Sequence, residues 1–248
     1  MLKIKKGEKL MAEQHSPRLA ISHVLEELHQ SFGKNISSIN SKFMPKLDEI
    51  DLNSRIINEA KQQLLSGYCD STVHRKICEE LLDEVFSDFS LAMYFCTAGL
   101  IVPSRMSTRR AFELGLAVVY MWDLPHEYWG WRNKDEDLGF SGMVAHLNSI
   151  GYQEYLTQLG GPENNSCICK QGEFQAIYRE LSNTVHGKIA GLPQLSPERY
   201  SSTHVSGFIG GQLDLIARAQ RSIIELVYGR FAKLAPKVEE AFPQINRK

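Results

Sequence analysis

The sequence predicts an all-α fold, a helical bundle with an irregular helical insertion around residues 123–172. Three observations predict it. Apolar residues recur near the helical period in one segment after another. No run of alternating apolar and polar residues specifies a strand with one buried face. Hydrophobic residues make up 43% and charged residues 23% of the 248 positions, the composition of an ordinary globular chain long enough to bury a substantial core.

Leu19, Ile21, Val24, Leu25 and Leu28 mark a helix over 17–32, and Gly33 follows as its stop signal. Residues 37–66 form a second amphipathic segment, broken near Pro45. Asp70 or Ser71 is placed to cap a long helix with Val73, Ile77, Leu81, Val85 and Phe89 on its buried stripe. That helix is expected to run to about residue 100, with Pro103 closing it. Ser107 or Thr108 then caps a helix that is apolar on nearly all sides from Ala111 to Trp122, which belongs at the centre of a bundle. Pro, Trp, Gly and Asn punctuate 123–172 into short helical pieces such as SGMVAHLNSI and YQEYLTQL. A helix returns over 173–188, a Ser/Thr/Pro/Gly-rich connection spans 191–211, and an amphipathic helix from 212 to about 241 follows. There is no internal repeat. The expected division is an N-terminal helical extension, 1–69, and a bundle domain, 70–248.

A formal net charge of -1 gives the chain no global attraction to nucleic acid, so RNA or DNA needs a local basic patch. SRMSTRR, with Arg105, Arg109 and Arg110, is the best candidate. Five irregularly spaced cysteines suit a reducing compartment, and a cytoplasmic location is expected. The basic start MLKIKKGEKLMAEQ leads into no continuous apolar segment, so neither a secretory signal nor a membrane anchor is expected, and Met11 offers an alternative start. AFELGLAVVYMW is too short to span a bilayer and contains Glu113.

Phosphate-loop, dinucleotide, zinc-protease and nucleophile-elbow motifs are all missing, so nucleotide-hydrolysing and zinc-protease chemistry has no support. Cys167 and Cys169 could join His204 or another thiol around zinc, but a lone C-x-C lacks the paired spacing of zinc sites. No metal and no cofactor are expected. The aromatic cluster of Trp122, Tyr128, Trp129 and Trp131 reads as packing in preference to base stacking, and His126 and His146 read as structural.

The segment RELSNTVHGK carries the most chemistry. At 100° per residue Phe174, Ile177, Tyr178, Leu181 and Val185 form one core-facing stripe. Arg179, Asn183 and His186 cluster away from it at i, i+4 and i+7, with the Arg and His separated by roughly 10 Å of helix axis. A guanidinium there can hold a phosphate and an imidazole can move protons at neutral pH. These are sufficient parts for metal-independent RNA cleavage, in which a 2′-hydroxyl attacks the adjacent phosphate. The same residues also read as a solvated helix face ending in a His, where the dipole favours a cation and Gly187 caps. For Glu113 the choice is an ion pair with Arg109 or Arg110, its i−4 and i−3 neighbours, or a role orienting His186 or Arg179 from the next helix.

This segment resembles the Arg-x4-6-His motif of the HEPN superfamily, and as architecture the resemblance covers about residues 70–240. It implies a helical bundle in which two protomers bring their motifs into a composite ribonuclease site. By the resemblance Arg179 and His186 are catalytic and Asn183 supports them. Glu113 positions them, and Arg109 or Arg110 touches the RNA backbone. The implied setting is a bacterial toxin or anti-phage defence effector acting on RNA as a homodimer. The alternative is a non-catalytic helical module, an antitoxin, regulator or scaffold, that binds a partner protein or nucleotide in a defence or toxin–antitoxin system.

Overall fold

The computed structural model describes residues 17–134, 136–160, 167–185 and 202–242, and among them there are ten helices and no strand. The helices are α1 (Pro17–Lys42), α2 (Met44–Gly67), α3 (Thr72–Thr97), α4 (Ile101–Asp123) and α5 (Pro125–Lys134). They continue as α6 (Phe140–Leu147), α7 (Ile150–Gln158), α8 (Gln171–Val185), α9 (Ser202–Arg230) and α10 (Leu234–Ala241). The chain is all-α, as its periodicity predicts. No helix among the described residues is long and apolar enough to cross a membrane.

Helix α4 is the axis of the bundle, for the reason its composition gives: from Ala111 to Trp122 it is apolar on nearly all sides and has little to offer water. Phe112, Leu116, Ala117, Val118 and Val119 are completely buried. α4 packs against α3, α9, α8, α6 and α5, while α2 packs along α9, α3 and α10. Each fully buried Leu, Val, Ile or Phe contributes about 1.5–3 kcal/mol, so this contact region holds much of the hydrophobic stabilisation. Small residues set the spacing. A Cβ on Gly115 would lie 2.6 Å from Ile223 Cγ1, so a glycine lets α9 close on α4.

A chain of polar side chains inside the bundle ties α3, α4 and α9 together. Ser104 Oγ donates to the Ala92 carbonyl (2.7 Å), Thr108 Oγ1 to the Ser104 carbonyl (2.8 Å), and Gln212 Nε2 to Thr108 Oγ1 (3.1 Å). Thr108 is therefore an interior tie between α4 and α9, and neither it nor Ser107 caps a helix. Ser71 takes the cap of α3, its Oγ accepting from the His74 N–H at 3.3 Å.

Several boundaries, or the signals that set them, differ from the sequence reading. α1 runs through Gly33 to Lys42, because an exposed glycine in a helix lowers stability without forcing a stop. α3 ends at Thr97, close to the expected residue 100, but its stop is Gly99, whose φ of 77° is left-handed, and not Pro103. The Leu100 N–H bonds to the Phe95 carbonyl (2.8 Å) and the Gly99 N–H to the Cys96 carbonyl (3.0 Å), the paired closure of a Schellman cap. Pro103 instead sits in the first turn of α4, where a missing N–H costs nothing. α9 begins at Ser202, so much of the expected connection over 191–211 is helical, and the expected long last helix breaks at Phe231–Lys233 before α10.

Candidate functional site

α8 is amphipathic, and its buried edge fixes where its polar side points. Phe174, Ile177 and Leu181 are buried, and Phe174 stacks on Phe112 of α4 with ring centroids 5.1 Å apart. Arg179 is exposed and Asn183 half-buried, on the flank turned from that edge. Arg179 takes part in none of the ion pairs among the described residues. His186 lies outside the described residues.

Glu180, the residue next to Arg179, turns to the opposite flank. Its carboxylate accepts from Arg218 of α9 at 3.2 Å. It also acts electrostatically on Arg105 of α4, whose guanidinium burial pulls below its ordinary value while Glu180 counters. An anion adjacent in sequence to the Arg179 guanidinium is thus drawn away from it.

Across from α8, the arginines of α4 are held by carboxylates. Arg109 Nε donates to Glu113 Oε1 at 2.9 Å and its NH2 to the Tyr178 hydroxyl at 2.7 Å. The Arg109 guanidinium also lies 4.8 Å from the centre of the Tyr178 ring, which stacks on Phe140 at 3.8 Å and 5°. Arg110 reaches both oxygens of Asp88, at 2.9 and 2.8 Å, and Glu84 at 2.6 Å. Asp88 has a side chain only 5% exposed, and burial pushes its carboxyl above the usual range against the pull of Arg110. Glu113 therefore forms the intrahelical ion pair of the first sequence alternative, and its hydrogen-bond partner is Arg109, not Arg179.

Beside this network opens a cleft of about 510 Å³, lined by Arg109, Glu113, Trp131, Glu136, Asp137 and Leu138 among others. A smaller cleft of about 220 Å³ shares Trp131 and the 136–138 segment and continues to Tyr120 and Glu127. The Glu136 carboxylate lies over Gly130, in the space a Cβ there would take. The walls carry more acidic than basic groups, and both arginines of the larger cleft already have acidic partners.

Trp122, Tyr128 and His146 behave as packing groups, whereas His126 and Trp129 are exposed. Trp122 stacks on His74 (4.6 Å, 12°) and meets Phe231 edge-on, while Tyr128 is fully buried with its hydroxyl donating to Glu80 at 2.8 Å. His146 sits against Tyr120 and Tyr152. Cys167 bonds to Asn148 and, at 2.9 Å, to the Cys169 carbonyl, and no group of three metal-binding side chains occurs among the described residues. The side chain of His204 lies outside them.

Sequence reasoning leaves out Tyr178 as a polar group, because helical spacing assigns it to the core stripe; its ring does pack there, but its hydroxyl is the link from α8 to α4. Asp88 carried a signal, a carboxylate on the buried side of α3 between Val85 and Phe89 that demands a cation. The cleft carried none, since Glu136 and Asp137 stand in the punctuated 123–172 stretch with no periodic pattern to place them. In comparisons with known proteins, no family model, no curated protein and no solved structure matches this chain.

Proposed function

We propose that this chain is a metal-independent endoribonuclease of the HEPN type, acting as a homodimer in a toxin or anti-phage defence setting in the cytoplasm. One observation carries it. Arg179 stands exposed and without an ion-pair partner among the described residues, on the same flank of α8 as Asn183, while Glu180 is engaged by Arg218. A guanidinium in that condition is available to a phosphate. In the proposed reaction Arg179 holds the scissile phosphate and offsets the charge that builds on its oxygens. His186 moves the proton between the attacking 2′-hydroxyl or the departing 5′-oxygen and solvent. Asn183 orients the sugar-phosphate. Tyr178, through Arg109 and Glu113, holds α8 in register with α4.

Purified protein incubated with structured RNA in excess chelator tests this. Cutting is expected in the wild type and is lost in Arg179→Ala and His186→Ala, with helical circular dichroism unchanged in both. Equal cutting in all three proteins would remove both roles.

A second reading is a non-catalytic helical module that binds a partner protein or a nucleotide. What favours it is the engagement of Arg109 and Arg110, the two cations among the described residues that line the cleft, by Glu113, Asp88 and Glu84. No RNA cutting by any preparation, together with co-purification of a toxic partner, supports that reading over the first.

A further inference from the structure

Two of the five cysteines meet at the corner between α2 and α3. Cys69 lies in the connection after α2, where its N–H donates to the Leu64 carbonyl at 3.1 Å. Cys78 lies two turns into α3, with its Sγ 3.7 Å from the Lys61 carbonyl. Lys61 and Leu64 are one turn apart on α2, so the two cysteines are anchored to the same helix end. Each thiol is close enough to act on the ionisation of the other. Cys69 is half-buried and reachable from solvent, while Cys78 is completely buried.

We propose that Cys69 and Cys78 are a site of reversible oxidative modification, forming a disulfide across the α2–α3 corner when the protein meets hydrogen peroxide. The order of events follows from access. Cys69 reacts first, because it alone of the pair is open to solvent. Burial holds the Cys69 thiol above its ordinary value with Arg75 countering in part, whereas burial pushes Cys78 up to about 12, so access and not acidity sets the order. The Cys69 thiolate attacks one peroxide oxygen: an S–O bond forms, the O–O bond breaks, and hydroxide leaves. Cys69 is then a sulfenic acid, oxidised by two electrons, and the peroxide is reduced. The Cys78 sulfur attacks the Cys69 sulfur, the S–S bond forms, the S–O bond breaks, and water departs with the Cys78 proton. A thiol reductant reverses the link by exchange. The remaining cysteines lack this arrangement: Cys96 is buried with its thiol directed at the Ile209 carbonyl, and Cys167 is bonded to Asn148 and the Cys169 carbonyl.

The test uses the full chain, reduced, freed of reductant, exposed to graded hydrogen peroxide and blocked with N-ethylmaleimide. Cleavage after Lys, Arg and Glu separates Cys69 from Cys78 and Cys78 from Cys96. Mass spectrometry is expected to find the Cys69 and Cys78 peptides joined, and the joined species to vanish with dithiothreitol. Cys96→Ala keeps the link. Cys69→Ala loses it, and Cys78→Ala diverts Cys69 to sulfinic acid. The proposal is overturned if wild-type Cys69 and Cys78 both stay alkylated at peroxide levels that oxidise Cys167, or if Cys69 pairs with another cysteine. The wild-type measurement decides the matter even where a variant fails to fold.

Discussion

The side chain of Asp123, 5% exposed at the end of α4, is gripped by Arg230 of α9, 11% exposed, through bonds of 2.7 and 2.5 Å. Tyr152 and Tyr155 of α7 donate to the same carboxylate at 2.8 and 3.3 Å. Burial, and then the Asp123 charge, push the Tyr152 phenol up, so it remains a donor. One carboxylate thus ties three helices. Breaking such a pair from one side leaves a charge stranded out of water, at a cost of about 3–5 kcal/mol. Arg230→Ala is expected to lower stability by that order in urea unfolding, and Tyr155→Phe, losing one longer bond to an exposed ring, by about 1 kcal/mol. Equal effects of the two substitutions would contradict the clamp. Nothing near Asp123 in the chain announces it, because Arg230 is 107 positions away. Arg109 and Glu113 differ: four residues apart, their pairing was open to inspection in the sequence.

Helices were more legible than their ends. The buried stripe of α3, the all-apolar α4 and the fragmentation into α5, α6 and α7 all follow from periodicity and punctuation, which are local. Ends depend on which of several competing signals wins. At 97–103 the cap was written in Gly99 and Leu100, but Pro103 drew attention as a terminator although a helix tolerates proline in its first turn. In α9 the glycines and serines of 202–211 resemble a connection, yet the stretch is helical, and at Gly210 the lack of a side chain makes room for Phe43: a Cβ there would come 3.0 Å from Phe43 Cε1. Two glycines test this distinction with opposite signs. Gly99→Ala forces an alanine into a left-handed conformation and is expected to cost about 1–2 kcal/mol. Gly33→Ala, in a helix with nothing within 4 Å of the new methyl, is expected to gain about 0.5–1 kcal/mol. Thermal unfolding of both variants reads the difference, and two shifts of the same sign would contradict it.

At the scale of the whole molecule, α4 is the hub to which the chemistry is referred. It presents Arg109 and Arg110 toward α8 and α3, and it buries the aromatic contact that sets α8 in place. The polar flank of α8 was legible because helical geometry alone fixes the relation of Arg179 to Asn183. The engagement of Arg109 and Arg110 was not, because Tyr178 and Asp88 come to them from other helices. Central to the proposal is that RNA is cut by side chains and its own 2′-hydroxyl, without metal. The most direct measurement is cleavage in chelator of an RNA with a single mapped cut, against the same RNA carrying a 2′-deoxy sugar at that position. Nuclease activity of the proposed kind yields a 2′,3′-cyclic phosphate end on the first RNA and leaves the second intact, with both uncut by Arg179→Ala. Cutting of the 2′-deoxy substrate, or undiminished cutting by Arg179→Ala, would contradict it.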